Sequence, residues 1–432
     1  MQSEISRKSE EEIRAYQNLR VIETVDYVMK HSPFYKERFH GFDLSRIKTV
    51  DDLVNLPVTT KEDLQCRNSD FICVSEDQII DYITTSGTLG DPVTFVATDN
   101  DLNRLALNEF LSFICANGSS KDIYHLMVTL DRRFMAGLAY FLGLRKLGAG
   151  IVRVGPGNPG LQFDTIQRVS PTVLVTIPSF LLKLIEYAEQ NGIDYRNTTI
   201  KSAVCIGEPI RDKDLNLNKL GRKITDKWDI KLYSTYASTE MGAAFTECEA
   251  GQGGHLIPEM LVVEFLDDND QPVKEGELGE VTITNLGVEA MPLIRFKTGD
   301  MCYHYTEKCS CGRSSLRVGP IIGRKNQMIK YKGTTLFPQS LYDILNDIAG
   351  VKNYLIEVST NSIDTDDICV KIGSDDNSEK FEKSIKDHFR AKLRVAPSIK
   401  IMKAAELEKI RNNENSRKPI TYIDYRNGNG KH

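Results

Sequence analysis

Short, largely apolar runs alternate with longer amphipathic ones between residues 100 and 206, and this alternation constrains the fold more than any other feature. The runs Tyr124-His125-Leu126-Met127-Val128, Ile151-Val152-Arg153-Val154, Thr172-Val173-Leu174-Val175-Thr176 and Ser202-Ala203-Val204-Cys205-Ile206 are too short for buried helices. They read as strands covered on both faces. Between them the spacing predicts helices over Asn100–Cys115, an Ala/Gly/Leu-rich stretch to Leu147, Asp164–Val169 and Phe180–Glu189. The expected fold class is therefore α/β, with a parallel sheet in layered α/β packing. After residue 258 the strands shorten and turn signals appear, as in Asp267-Asp268-Asn269-Asp270, which predicts a β subdomain. From Ile329 onward the order helix, strand, strand, helix, strand (338–348, 354–359, 368–372, 378–393, 398–402) predicts a small α+β C-terminal domain. Ahead of all this, residues 3–40 carry a helical pattern closed by Pro33, and a helix opens at Thr59-Thr60.

Charge and composition exclude several classes. A chain of 432 residues with a formal charge of −5 lacks the basic balance of a general nucleic-acid binder. No uninterrupted apolar run reaches bilayer length, so no membrane partner is expected. The opening Met1-Gln2-Ser3-Glu4 carries no signal-peptide pattern, and nine scattered cysteines suit reduced thiols, so a cytoplasmic protein is the expectation.

One loop invites a ligand. Thr84-Thr85-Ser86-Gly87-Thr88-Leu89-Gly90-Asp91-Pro92 gathers hydroxyls and glycines between two strand-like flanks. Glycines let backbone N–H groups approach a phosphate, although such clusters are also plain turns. It is not a Walker loop, since no Gly-Lys-Ser/Thr follows. Further along stand Cys205-Ile206-Gly207-Glu208-Pro209 at a strand end, Tyr233-Ser234-Thr235-Tyr236-Ala237-Ser238-Thr239-Glu240, Thr298-Gly299-Asp300, and the basic run Gly323-Arg324-Lys325-Asn326 through Lys332-Gly333. Each alone also reads as a turn, a strand end or a surface loop.

Taken in order, this series resembles the core motifs of adenylate-forming enzymes, and within them the phenylacetate–CoA ligase branch. Ser32-Pro33-Phe34-Tyr35, the run from Leu56 to Leu64, Ile177-Pro178-Ser179-Phe180 and Thr246-Glu247-Cys248 resemble that branch too. The resemblance implies an AMP-forming acid–CoA ligase that uses ATP, Mg²⁺ and coenzyme A on a small carboxylic acid, an aryl acid by analogy with phenylacetate. It implies an N-terminal AMP-binding domain over 1–325, a mobile C-terminal domain over 326–432 and a homodimer. Thr85, Ser86, Gly87, Thr88 and Gly90 would cradle the β- and γ-phosphates. Gly207, Glu208 and Pro209 would line the adenine pocket, with Tyr236 stacked on the base and Ala237 and Ser238 beside it. Thr239 and Glu240 belong to the catalytic centre, Glu240 as the Mg²⁺ ligand. Asp300 would accept from the ribose hydroxyls and Arg324 would contact ribose or phosphate. Asn326 falls on the hinge, Lys332 and Gly333 on the CoA side, and Lys418 on the adenylation lysine. The weakly placed acid-pocket walls are Phe134, Met135, Ala237 and Met241. The chain departs from the pattern at three places: the glycine loop lacks its usual lysine, with Asp91 and Val93 at the candidate positions and Leu89 for a hydroxyl residue, the hinge is Asn326 rather than an acidic or basic residue, and Arg417 replaces the glycine before Lys418.

Cys309-Ser310-Cys311-Gly312 can turn two sulfurs toward one ion, and Cys248 with His255 supplies a second pair, enough for a closed four-ligand Zn²⁺ site. Cys302 and His304 are spare candidates, and unrelated reduced cysteines remain the alternative. Two other functions stay open: an adenylating ligase whose acceptor is a carrier protein or an amine, and a non-catalytic, zinc-stabilised nucleotide binder.

Overall fold

The computed structural model describes residues 5–85, 93–361, 366–411 and 420–426. The chain divides into two compact units, one up to Ile321 and one from Ile322 onward.

The first unit opens with α1 (Glu10–His31), whose N-cap Ser9 and Glu12 form a capping box. Pro33 does end α1, and it also opens α2 (Pro33–Arg38), seated at the first turn where its missing N–H costs nothing. After α3 (Lys61–Cys66), capped by Thr60 and Asp63, comes a hairpin of β1 (Asp81–Thr84) and β2 (Thr94–Ala97). Then follow α4 (Asp99–Cys115), β3 (Ile123–Leu126), α5 (Met135–Leu147), β4 (Gly150–Arg153), α6 (Pro159–Val169), β5 (Val173–Thr176), α7 (Pro178–Asn191), β6 (Ser202–Cys205), α8 (Lys219–Thr225) and β7 (Lys231–Ser238). This is the expected alternation. Strands β4-β3-β5-β6-β7 pair in parallel in that spatial order.

The sequence has no polar alternation in these strands because both faces are covered. Leu174, Ala203 and Cys205 join a core with Leu181, Ile185 and Trp228 from one side. Val173, Val175 and Val204 join Phe113, Tyr140 and Leu144 from the other. Neighbouring side chains on one strand point to opposite faces, so β5, β6 and β7 each serve both cores, while the edge strand β4 is half exposed.

Beyond β7 the same sheet turns antiparallel through β8 (Ala243–Glu247), β9 (Gly254–His255), and later β14 (Arg317–Val318) and β13 (His304–Tyr305). Strand β7 is shared between the two regimes. Its residues Lys231–Ser234 pair in parallel with β6, and Thr235–Ser238 pair antiparallel with β8. The expected β subdomain is a separate antiparallel sheet of β10 (Leu261–Leu266), β11 (Gly279–Asn285) and β12 (Phe296–Cys302).

The second unit has its own core around Ile356, Val370, Ile385 and Phe389. Its helices 338–345 and 379–393 and strands 353–360, 366–373 and 398–402 follow the sequence expectation. Two pieces were not expected: a helix over Ala404–Arg411 and a strand over Tyr422–Asp424 that pairs in parallel with the 353–360 strand. No helix among the described residues is long and apolar enough to cross a membrane.

Candidate active site and metal centre

Four of the residues singled out from the sequence converge where β7 runs past the parallel part of the sheet. The Tyr236 hydroxyl donates to Asp300 Oδ2 at 2.8 Å, joining the central sheet to β12 of the smaller one. Phe245 of β8 stacks under the Tyr236 ring at 5.8 Å and an interplanar angle of 18°. Burial, and the Asp300 carboxylate beside it, push the Tyr236 phenol well above its ordinary range, so it stays a donor. Asp300 is itself set by a tight turn: its N–H donates to Thr298 Oγ1 at 3.1 Å, and that hydroxyl donates to the Val281 carbonyl at 2.8 Å. Gly299 at φ +78° makes the turn.

The Thr239-Glu240 segment follows directly on β7 and is held from outside the motif. Asn285 Nδ2 donates to the Met241 carbonyl at 2.9 Å. Arg104, on α4, donates to the carbonyls of Gly242 (2.7 Å), Met260 (2.6 Å) and Leu286 (2.9 Å). Arg104 and Asn285 are the functional-site residues that sequence reasoning missed. No local pattern reveals them, because the carbonyls bound by Arg104 lie 138 to 182 residues away. Thr239 and Glu240 line a small cavity of about 40 Å³ with Met135, Phe95, Leu105 and Met291. Among the described residues no hydrogen bond or ion pair engages the Glu240 carboxylate. A free carboxylate on a cavity wall fits a hard cation such as Mg²⁺.

Gly207 has φ +73° and is exposed, as the end of β6 turns. Glu208 points back to α7, where its carboxylate accepts from the Ser179 N–H and hydroxyl, both at 2.9 Å. It thereby serves the first turn of a helix whose N-cap, Ile177, has no acceptor of its own. Pro209 sits between this cap and Asn218, which donates to its carbonyl at 2.8 Å. Ala237 and Ser238 lie on the β7–β8 ladder, Ser238 Oγ accepting from the Met241 N–H at 3.3 Å. Of the acid-pocket walls read from the sequence, Met135 and Met241 line the small cavity, whereas Phe134 is 41% exposed.

The glycine loop is described only at its mouth. Thr85 N–H donates to the Val93 carbonyl and Val93 N–H to Thr85 Oγ1, each at 3.0 Å. Ser86, Gly87, Thr88 and Gly90 lie outside the described residues, as does Lys418. Arg324, Asn326, Lys332 and Gly333 belong to the second unit. There the Asn326 carbonyl accepts from Arg426 at 3.3 Å, and Lys332 (φ +48°) and Gly333 (φ +77°) turn the hairpin between Ile329–Tyr331 and Thr334–Leu336.

The cysteine–histidine reading meets a definite geometry. One ligand atom each from Cys248, His255, Cys309 and Cys311 lie within 4.8 Å of one another. Zn–S bonds of about 2.3 Å and Zn–N bonds of about 2.0 Å on a tetrahedron require S···S edges of about 3.8 Å and S···N edges of about 3.5 Å. Cys248 Sγ and Cys309 Sγ are 3.7 Å apart, and Cys311 Sγ lies 3.5 Å from His255 Nε2. The fold delivers the ligands from rigid pieces. His255 is on β9, Cys248 follows β8, and a tight turn with Gly312 at φ +87° presents Cys309 and Cys311. Burial and the nearby guanidinium groups of Arg313, Arg317 and Arg7 push His255 down to about 3, which keeps the imidazole neutral, the form that binds metal. Burial pushes the Cys248 thiol up to about 12. That cost is reversed when an ion takes up the thiolate. The donor set and its spacing fit a structural Zn²⁺. The spare candidates are elsewhere engaged, His304 stacking on Phe265 at 4.2 Å.

Comparison with known proteins now identifies the class. The family model described as AMP-binding enzyme matches residues 18–290, and that of the AMP-binding enzyme C-terminal domain matches residues 333–425. The chain belongs to the AMP-binding enzyme family. Among characterised relatives, a phenylacetate–coenzyme A ligase from Thermus thermophilus is 29% identical over 80% of this chain and 77% of its own. One from Aromatoleum evansii is 26% identical over 94% of each. Among solved structures, 2-hydroxyisobutyryl-CoA ligase in the postadenylation state superposes with a TM-score of 0.82 at 21% identity, covering 98% of this chain and 92% of that one. The α/β fold expected from the strand alternation is thus the fold of this family.

Proposed function

We propose that this protein is an AMP-forming carboxylic acid–CoA ligase acting on phenylacetate or a related aryl acid. The observation that carries the reading is family membership over both parts of the chain, joined to phenylacetate–coenzyme A ligase relatives that span nearly its full length. In the first half-reaction a substrate carboxylate oxygen attacks the α-phosphorus of ATP. The α–β phosphoanhydride bond breaks, and its electron pair leaves with pyrophosphate. In the second, the CoA thiol attacks the acyl carbonyl and AMP departs with the electron pair of the C–O bond.

The first unit supplies nucleotide recognition. Tyr236 locks the Asp300 carboxylate toward the ribose hydroxyls, and the Gly207–Pro209 turn borders the adenine. The Thr239-Glu240 segment, braced by Arg104 and Asn285, holds its carboxylate for Mg²⁺, which neutralises phosphate charge when bound. The glycine loop residues Thr85, Ser86, Gly87, Thr88 and Gly90 hold the outer phosphates. Lys418 stabilises the charge between the attacking carboxylate and the α-phosphate, and the second unit moves about Asn326 to bring Lys332 and Gly333 to CoA. Zn²⁺ held by Cys248, His255, Cys309 and Cys311 pins the chain beside this site and takes no part in the chemistry.

The test is pyrophosphate release from ATP and Mg²⁺ with a panel of aryl and aliphatic acids, with and without CoA. Release that becomes CoA-dependent turnover with phenylacetate or another aryl acid is expected. No release with any acid would overturn the enzymatic reading. Release with no CoA-dependent turnover would transfer the protein to carrier-protein or amine ligases.

A further inference from the structure

The run Thr246-Glu247-Cys248 supplies a candidate metal ligand, yet the carboxylate of Glu247 has no part in any function described so far. Glu247 ends β8 and is 3% exposed. Burying a carboxylate carries a cost that only hydrogen bonds and a partner charge offset, and Glu247 has both. Its Oε1 accepts from Arg211 Nε at 2.6 Å, and its Oε2 accepts from the Ser234 backbone N–H at 3.2 Å.

These two partners lead to two different walls of the candidate nucleotide site. At Ser234 the strand β7 passes from one ladder to the other: Ser234 is the last residue in register with β6, and Thr235 is the first in register with β8. Thr235 stands opposite Thr246, so Glu247 lies one place past the end of that ladder. There its side chain takes the Ser234 N–H in place of a ladder bond. Tyr236 follows two residues along the same strand. Arg211 follows the Gly207–Pro209 turn by two residues and fastens the loop behind it, Nη1 donating to the Leu215 carbonyl at 3.0 Å. The backbone at Gly251, φ +62°, lies so near the same guanidinium that a Cβ there would clash with it. One buried carboxylate thus ties the strand of Tyr236 to the turn assigned to the adenine, in addition to the Glu208–Ser179 bonds.

We propose that Glu247 and Arg211 are positioning residues for the nucleotide base, setting the gap between the Gly207–Pro209 turn and the Tyr236 ring. This rests on the acid–CoA ligase reading above. A charge-assisted bond is short and directional, so it fixes a separation that apolar packing would leave loose. Adenine carries a donor at its 6-position where hypoxanthine carries an acceptor. Turn carbonyls tell the two apart only when held at hydrogen-bonding distance, which is what the pair secures.

The test uses the full chain as purified, with Mg²⁺ and phenylacetate, and compares ATP with ITP. Glu247→Gln keeps the size of the side chain and its acceptor for Ser234 but removes the charge that holds Arg211. Its KM for ATP should rise at least fivefold, and its preference for ATP over ITP, read as the ratio of kcat/KM values, should fall at least fivefold. Its KM for phenylacetate should stay within twofold. Arg211→Met/Glu247→Met, which strands no buried charge, should lose the preference to the same extent, and Arg211→Lys should fall between it and the parent. A preference within twofold of the parent in both Glu247→Gln and the methionine pair overturns the proposal, as does a parent that does not prefer ATP. So does a joint loss of melting temperature and of affinity for ATP and phenylacetate with the preference unchanged, which would mark a merely structural ion pair. Should the parent release no pyrophosphate with any acid, the ligase reading fails, and calorimetric titration with AMP and IMP decides the pair separately. A preference for AMP that falls at least fivefold in Glu247→Gln keeps the positioning role; an unchanged preference, or a parent that binds no AMP, removes it.

Discussion

Removing the metal cross-link should destabilise the first unit by an amount the chain connectivity sets. The four ligand atoms join two segments whose cysteines, Cys248 and Cys309, are 61 residues apart. Closing a loop of that length removes about 14 cal/mol/K from the unfolded chain, or about 4 kcal/mol at 25 °C, on the chain-entropy model of a cross-link. At about 2 °C per kcal/mol for a unit of this size, Cys309→Ser should lower the melting temperature by about 8 °C. Protein purified without added zinc should hold one Zn²⁺ per chain by elemental analysis, and Cys309→Ser should hold much less. A strong chelator should bring the parent down to the variant and leave the variant where it is. Cys369→Ser, in the second unit, serves as control and should change neither metal content nor melting. Substoichiometric metal in the parent would refute the site. Stoichiometric metal whose removal shifts melting by under about 2 °C would refute the cross-link argument and leave only a surface ion.

Tyr236→Phe keeps the ring on Phe245 and deletes one bond to a carboxylate, worth about 1.5–3 kcal/mol. The kcat/KM for ATP should fall about tenfold or more in steady-state assays, and an unchanged value would detach Asp300 from nucleotide binding. Lys418→Ala should slow pyrophosphate release about 100-fold while sparing thioester formation from preformed acyl-AMP, measured as separate half-reactions. Arg295, 2% exposed, pairs with Glu264 at 3.0 Å and donates to the Val54 and Leu56 carbonyls. Arg295→Met should cost about 3–5 kcal/mol in urea unfolding, since it strands a buried carboxylate. Burial pushes Glu109 up to about 8, against the bond from Asn108, so the folded chain keeps a proton that the unfolded chain loses above the ordinary glutamate range. The stabilising contribution of this group is complete below about pH 4.5 and fades as pH rises toward 8. Glu109→Gln should therefore gain on the parent by a few kcal/mol between about pH 5 and pH 8.5, and parallel pH profiles would contradict the burial argument.

The parallel sheet was legible because burial on both faces leaves an unbroken apolar run, and Val173–Thr176 could be little else. The β subdomain and the second unit followed from turn signals and alternation. What escaped was non-local. Pro33 gives the same local signal whether it only ends a helix or also begins another. The strand Tyr422–Asp424 is three residues long and acquires its identity from pairing with Ile356–Val358. Among site residues, the motifs themselves stood out, whereas Arg104 and Asn285 act on carbonyls, which carry no sequence. The four candidate metal ligands were readable as pairs, and only their three-dimensional spacing joins them.

Strand β7 has one more consequence. Its first half is registered by β6 on one edge and its second half by β8 on the other, with Tyr236 opposite Phe245. A strand shifted by a single residue would turn every side chain to the opposite face. Here two independent ladders would have to slip together to turn Tyr236 away from Asp300. The Tyr236–Asp300 contact is thus held in register from both edges of one strand.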